Sequence, residues 1–89
     1  MSKARIRCQV MPGLFESEYY VLVNGSSAYY IHRTNVEVSA EPTAEHPVSG
    51  IVYGYKVQEL GNKVLVQLPG EAALGGVRTW VESADVVAA

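Results

Sequence analysis

Residues 18–36 read EYYVLVNGSSAYYIHRTNV, and the fold turns on how the Tyr-Tyr pairs on either side of Asn24-Gly25 divide between the faces of a hairpin. Neighbouring residues on a strand point to opposite faces, so each pair sends one ring each way. A two- or four-residue loop at Asn24-Gly25 sets Ile31 on the face opposite Val21 and Val23. A three-residue loop with a bulge, or a five-residue one, gathers Tyr19, Val21, Val23, Tyr29 and Ile31 on one face. The odd-length loop is expected, because the second half of the chain, with Val64, Val66 and Val81 as its expected core, calls for the same arrangement. Tyr20, Leu22, Tyr30 and His32 then face outward.

Alternation and turn signals recur along the rest of the chain, and no segment carries a helical period. ARIRCQV alternates Ile6, Cys8 and Val10 against Arg5, Arg7 and Gln9, and stops at Met11-Pro12-Gly13. IVYGYKVQELGNKVLVQL, residues 51–68, reads as a hairpin about Gly61-Asn62 that pairs Val57 with Val66 and Tyr55 with Leu68. That register places Tyr53 and Tyr55 with Ile51 and Val57 in the core, their hydroxyls at its rim. Residues 69–76, PGEAALGG, read as a loose, mobile connection into a last strand. On that strand Arg78 and Glu82 share a face with Trp80.

The chain also echoes itself. YIHRTNVEV from Tyr30 and WVESADVVA from Trp80 both run aromatic, β-branched, three variable positions, Asn or Asp, then Val, and each follows a Val-Leu-Val at 21–23 or 64–66. This suggests half-repeats at 1–38 and 50–89, joined by the Pro-containing loop 39–49, within a single domain spanning 1–89. Trp80-Val81, the turn at 82–85 and Val86 resemble the end of SH3-like barrels, where a strand delivers an aromatic and a core β-branched residue, makes one 3₁₀ turn and re-enters the sheet. The resemblance implies an all-β, strongly bent antiparallel barrel of five or six strands. The Ala-Leu-Tyr-Asp-Tyr motif and acidic loop of peptide-binding SH3 domains are absent, and His32 or Glu82 stands at the turn proline, so proline-rich ligands are not implied.

With 48% hydrophobic and 18% charged residues, an 89-residue chain can bury a core of its own. Cys8 is a lone thiol, the first ten residues lack the apolar stretch of a signal peptide, and no apolar run reaches the roughly 20 residues of a membrane helix. A cytoplasmic protein without membrane attachment is expected. Lys3, Arg5 and Arg7 leave four of the seven Lys and Arg against nine Asp and Glu in the remainder, too few for general phosphate binding, so nucleic acid is not the expected partner. The basic segment reads as an edge strand protected by charge.

Cys8, His32 and His46 share no metal-ligand spacing, and no phosphate loop or activated nucleophile is legible. No cofactor, metal or catalytic residue is expected. Two readings of the outward aromatics remain open: an interface, or a second small core under residues 69–76. The functional expectation is a non-catalytic module that binds a protein partner or a second copy of itself through Tyr20, Leu22, Tyr30, His32, Arg78, Trp80 and Glu82. Its alternatives are a nucleic-acid-binding small barrel that stacks bases on the same rings, and an accessory domain of an enzyme.

Overall fold

The computed structural model describes residues 1–87. Nine strands form one antiparallel sheet among these residues: β1 (Ser2–Pro12), β2 (Glu18–Val23), β3 (Ser27–His32), β4 (Val36–Val38), β5 (Val48–Leu60), β6 (Lys63–Gln67), β7 (Glu71–Leu74), β8 (Arg78–Glu82) and β9 (Val86–Val87). One 3₁₀ turn, Arg33–Asn35, joins β3 to β4 and another, Ser83–Asp85, joins β8 to β9. The strand, 3₁₀ turn and strand expected at the C-terminal end are therefore present, and the same device recurs in the first half. The count exceeds five or six because β1 and β5 are long and bend between partners, while β4, β7 and β9 are short additions.

The order β7-β3-β2-β1-β5-β6-β8 places β7 and β8 at opposite ends of the sheet, yet only residues 75–77 separate them in sequence. Laid flat, seven strands would set those ends roughly 29 Å apart, whereas the connection reaches at most about 14 Å. The sheet must therefore curl, and it forms a half-barrel. Its concave side holds Ile6, Val10, Tyr19, Val21, Val23, Tyr29, Ile31, Val52, Val64, Val66, Leu68 and Val81.

Val23 pairs with Ser27, which leaves the three-residue loop Asn24, Gly25 and Ser26, and both Asn24 (φ 53°) and Gly25 (φ 77°) are left-handed. The Asn24 side-chain oxygen accepts from the Ser26 backbone N–H (3.1 Å) and hydroxyl (2.7 Å), which offsets the cost of that conformation. Tyr19 and Tyr29 are buried together as the odd loop requires.

Three expectations are corrected. The Gly61-Asn62 turn starts the hairpin as expected, with Leu60 opposite Lys63, but a bulge between Lys56 and Gln58 shifts the register so that Val66 faces Lys56 and Gln67 faces Tyr55. That extra residue inverts the parity of everything before it. Val52 and Gly54 point to the core, and Tyr53 and Tyr55 stand outside, 37% and 42% exposed. The basic segment is no edge: β1 lies at the centre of the sheet, paired with β5 on one side and with β2 and β9 on the other. Residues 69–76 are not a loose connection either, since β7 pairs with β3, with Glu71 opposite Tyr30 and Ala72 opposite Tyr29.

Several pairings of the first half recur in the second. Val36 of β4 pairs with Val52, and Val86 of β9 pairs with Ile6; Glu37 pairs with Ile51, and Val87 with Arg5. Ile6 and Val52 pair with each other where the two halves meet. Tyr20 opposite Tyr30 then corresponds to Leu65 opposite Trp80, and Tyr19 opposite Ile31 to Val64 opposite Val81. The two Val-Leu-Val tripeptides are out of step in this correspondence: Tyr19, Val21 and Val23 match Val64, Val66 and Leu68.

Candidate functional site

Backbone pairing sets Tyr30, Tyr20 and Met11 in one row across β3, β2 and β1. The Tyr20 and Tyr30 rings meet edge to face with centroids 5.2 Å apart, a favourable quadrupole geometry, and both are half-buried. Leu22, two residues along β2, is half-buried on the same outer face. β7 lies at the edge of β3, in the plane of the sheet, and so extends the aromatic row to Glu71.

The row ends beside the β1–β2 loop, where Leu14 and Phe15 are 73% and 70% exposed. Glu18 ties this loop down: its carboxylate accepts from the Leu14 N–H (3.1 Å) and its own N–H donates to the Phe15 carbonyl (3.2 Å). An apolar pair held out on a short tethered loop is a feature of binding surfaces rather than of packing. No pattern in the sequence marks the pair, because both residues lie outside any strand alternation.

The expected site residues do not form one patch. Tyr20, Leu22 and Tyr30 lie together on β2 and β3. His32 is exposed at the end of β3, where its Nδ1 accepts from the Thr34 N–H (3.2 Å) and lies 2.9 Å from the Thr34 hydroxyl, so it caps the 3₁₀ turn. Trp80, 39% exposed, belongs to β8 at the other end of the sheet and pairs across to Leu65. Arg78 Nε donates to Gln67 (3.0 Å), and Glu82 forms an ion pair with Lys63 (2.5 Å).

A polar seam clips β8 to the β2–β3 turn. Asn24 Nδ2 donates to the Trp80 carbonyl (2.6 Å) and to the Thr79 hydroxyl (3.2 Å), Ser27 Oγ lies 3.1 Å from Thr79 Oγ1, and the Tyr29 hydroxyl donates to the Gly76 carbonyl (2.7 Å). Trp80 therefore stands beside Asn24, whereas Tyr20 is four residues further along the hairpin, roughly 13 Å at the strand rise.

On the other side of the hairpin Arg33 acts as a clasp. Its guanidinium donates to Glu41 (2.7 and 3.2 Å), to the Tyr19 hydroxyl (2.8 Å) and to the Glu16 carbonyl, and it lies 4.4 Å from the Tyr19 ring centre. The hydrogen bond from Arg33 holds the Glu41 carboxyl below its usual pKa, and desolvation pushes the Tyr19 hydroxyl up. Cys8 lies half-buried against the core, and desolvation pushes its thiol up to about 12, against a smaller lowering by a backbone hydrogen bond at Val52. Such a thiol is a poor nucleophile at neutral pH. Among the described residues no group of three or more His, Cys, Asp or Glu side chains could hold a metal, and no helix is long and apolar enough to cross a membrane. No family model, curated protein or solved structure matches this chain.

Proposed function

We propose that this chain is a non-catalytic protein-binding module whose docking face is the row Tyr30, Tyr20 and Met11, with Leu22, Leu14 and Phe15 around it. The observation that carries the reading is the edge-to-face Tyr20–Tyr30 pair, half-buried on the outer face, in a molecule that also exposes Leu14 and Phe15 on the tethered loop between β1 and β2. Rings already fixed by packing lose little rotamer freedom on binding, so an apolar partner segment gains contact at low entropic cost. Trp80 with Leu65 is a second, smaller patch, flanked by Arg78 and Glu82, and His32 borders the first.

The architecture is read here as an SH3-like small barrel in one domain, its halves two copies of one strand unit. The lone, poorly ionised Cys8 suits a reducing cytoplasm.

Selection of a displayed peptide library on the immobilised protein tests the reading, with light scattering of the free chain across a dilution series. Apolar peptides should be enriched, and Tyr20→Ser with Tyr30→Ser should weaken the best of them about thirtyfold or more, the loss typical of truncating central aromatic anchors. Equal binding to the double variant, or no enrichment in a chain that stays monomeric, overturns it. Concentration-dependent dimerisation abolished by the same variant would make the partner a second copy.

A further inference from the structure

The bulge in β5 that turns Tyr53 and Tyr55 outward builds a second face, unrelated to the aromatic row. On β1 the outward residues are Lys3, Arg5 and Arg7, and their partners on β5 are Tyr55, Tyr53 and Ile51. A groove of about 480 Å³ opens beside Lys3, Arg5, Tyr53 and Tyr55 where β5 passes from β4 to β6, with Gly54 and Asn35 also in its lining. The equivalent groove in the other half, about 440 Å³, is flanked by Arg7, Gln9, Ser49 and Asp85 and contains no aromatic ring. Tyr53 corresponds to Arg7, Tyr55 to Gln9, Lys3 to Ser49 and Asn35 to Asp85. One groove is therefore basic and aromatic where its counterpart is mixed in charge and ring-free.

From this contrast we infer that the outer face of β1 and β5, with Lys3, Arg5, Arg7, Tyr53 and Tyr55, binds single-stranded nucleic acid. The cations follow one another at every second residue, roughly 6.6 Å apart at the strand rise, and the two rings share that repeat. Bases stacked in a duplex are only about 3.4 Å apart, so the rings suit bases drawn out along an extended single strand. A peptide adding as a strand needs a run of free backbone edge, whereas the outer edge of β1 is taken at Arg5 and Ile6 and again from Gln9, and that of β5 at 50–52 and again from Tyr55, which leaves between those pairings only the two-residue gaps 7–8 and 53–54. Recognition must come from the side chains of the face, which offer positive charge and flat rings. Glu37 holds the arrangement in place: its carboxylate forms an ion pair with Arg5 (3.5 Å) and accepts from the Tyr53 hydroxyl. The net charge of −2 argues against a general phosphate binder, but it averages over the chain, whereas β1 gathers three of the seven cations on one side.

The experiment is fluorescence anisotropy of the full chain with a labelled oligothymidylate of about ten nucleotides, a length within the range one small barrel covers. Three phosphate contacts give a slope near −2 in log affinity against log salt, roughly a twentyfold loss from about 50 to about 200 mM. Tyr55→Ser should cost about five- to a hundredfold while Tyr55→Phe, which keeps the ring, binds like the parent. Arg7→Gln should lessen the slope by about 0.7, and Glu37→Gln, which keeps an acceptor for the Tyr53 hydroxyl while removing the charge that competes with phosphate for Arg5, should tighten binding. Circular dichroism establishes that each variant is folded. Absence of saturable binding at low salt, equal affinity for an abasic oligomer of the same length, or equal affinity for a polyglutamate peptide each overturns the inference. Tyr20→Ser with Tyr30→Ser leaves this binding unchanged, so its failure is distinct from failure of the peptide-binding face.

Discussion

The half built from β1 to β4 and the half built from β5 to β9 share their pairing, yet they differ at every position where a side chain leaves the core. Tyr20 against Tyr30 becomes Leu65 against Trp80, Arg33 at the head of the 3₁₀ turn becomes Ser83, and the β3 edge carries β7 while β8 carries no added strand among the described residues. Along β2 and β6 the buried positions stay apolar, since Tyr19, Val21 and Val23 become Val64, Val66 and Leu68, and Ile31 on β3 becomes Val81, whereas the buried Tyr29 becomes Thr79. A core imposes volume and apolarity, so both halves obey the same pattern. The outer face imposes neither, and that is where the two halves have taken on different surfaces.

The sharpest way to break this comparison is where the two halves meet. Ile6 and Val52 are fully buried opposite one another, and Ile6→Ala should cost about 2–5 kcal/mol through lost transfer energy and cavity. Val52→Ala removes two methyl equivalents and should cost about 2 kcal/mol. Urea midpoints measure both. If Val52→Ala were silent while Ile6→Ala unfolded the chain, the halves would not be equivalent at the centre. The double variant should depart from additivity, because the residues share one packing site.

A smaller effect is expected where the symmetry is broken. Gly70 (φ 86°) leads into β7, and a methyl there would collide with the Tyr30 carbonyl oxygen, a backbone atom that cannot swing away. Gly61 (φ 61°) has nothing within 4 Å. Gly61→Ala therefore bears only the left-handed strain, roughly 1 kcal/mol, while Gly70→Ala adds a displaced strand and should cost about 2–3 kcal/mol. Hydrogen exchange should show lost protection along the β7-facing edge of β3 in the second variant alone. If both glycines cost the same, β7 contributes nothing to the closure of the half-barrel.

What could be read from the sequence follows the same division. The faces of Tyr19 and Tyr29 were legible because only an odd loop at Asn24 buries Val21, Val23 and Ile31 together. The outward turn of Tyr53 and Tyr55 was not, because the bulge lies within an unbroken alternation from Ile51 to Val57 that points the wrong way. Nor was β7: Glu-Ala-Ala-Leu between glycines has no strand signature, and its pairing depends on an edge supplied from forty residues away. The repeated Val-Leu-Val misaligned the halves because identity of letters outweighed burial, when Tyr19 and Leu68 are the residues that keep step. Of the candidate site, the Tyr20–Tyr30 pair was legible as two outward rings. Its separation from Trp80 depends on the curl of the sheet, and Leu14 and Phe15 depend on a tether from Glu18.

The smallest effect sharpens the comparison at the 3₁₀ turns. Arg33 lowers the pKa of Glu41 by hydrogen bonding, and Ser83 offers the second half no such clasp. A carboxyl whose folded pKa lies below its unfolded value of about 4.5 contributes stability that is complete above that value. The contribution is lost as pH falls through the folded pKa. Glu41→Gln should therefore be slightly less stable than the parent at neutral pH, and the gap should close as both are titrated down through the folded pKa of Glu41. Arg33→Ser, which writes the residue of the second half into the first, removes the same pH-dependent part. It also loses the Tyr19 and Glu16 contacts, so its deficit should persist in acid. Guanidinium chloride would screen an exposed pair, so urea titrations at low ionic strength across this range are the measurement. Parallel curves for parent and Glu41→Gln would mean that Arg33 works through Tyr19 and the Glu16 carbonyl alone. The first half would then differ from the second by a packed cation and not by an ion pair.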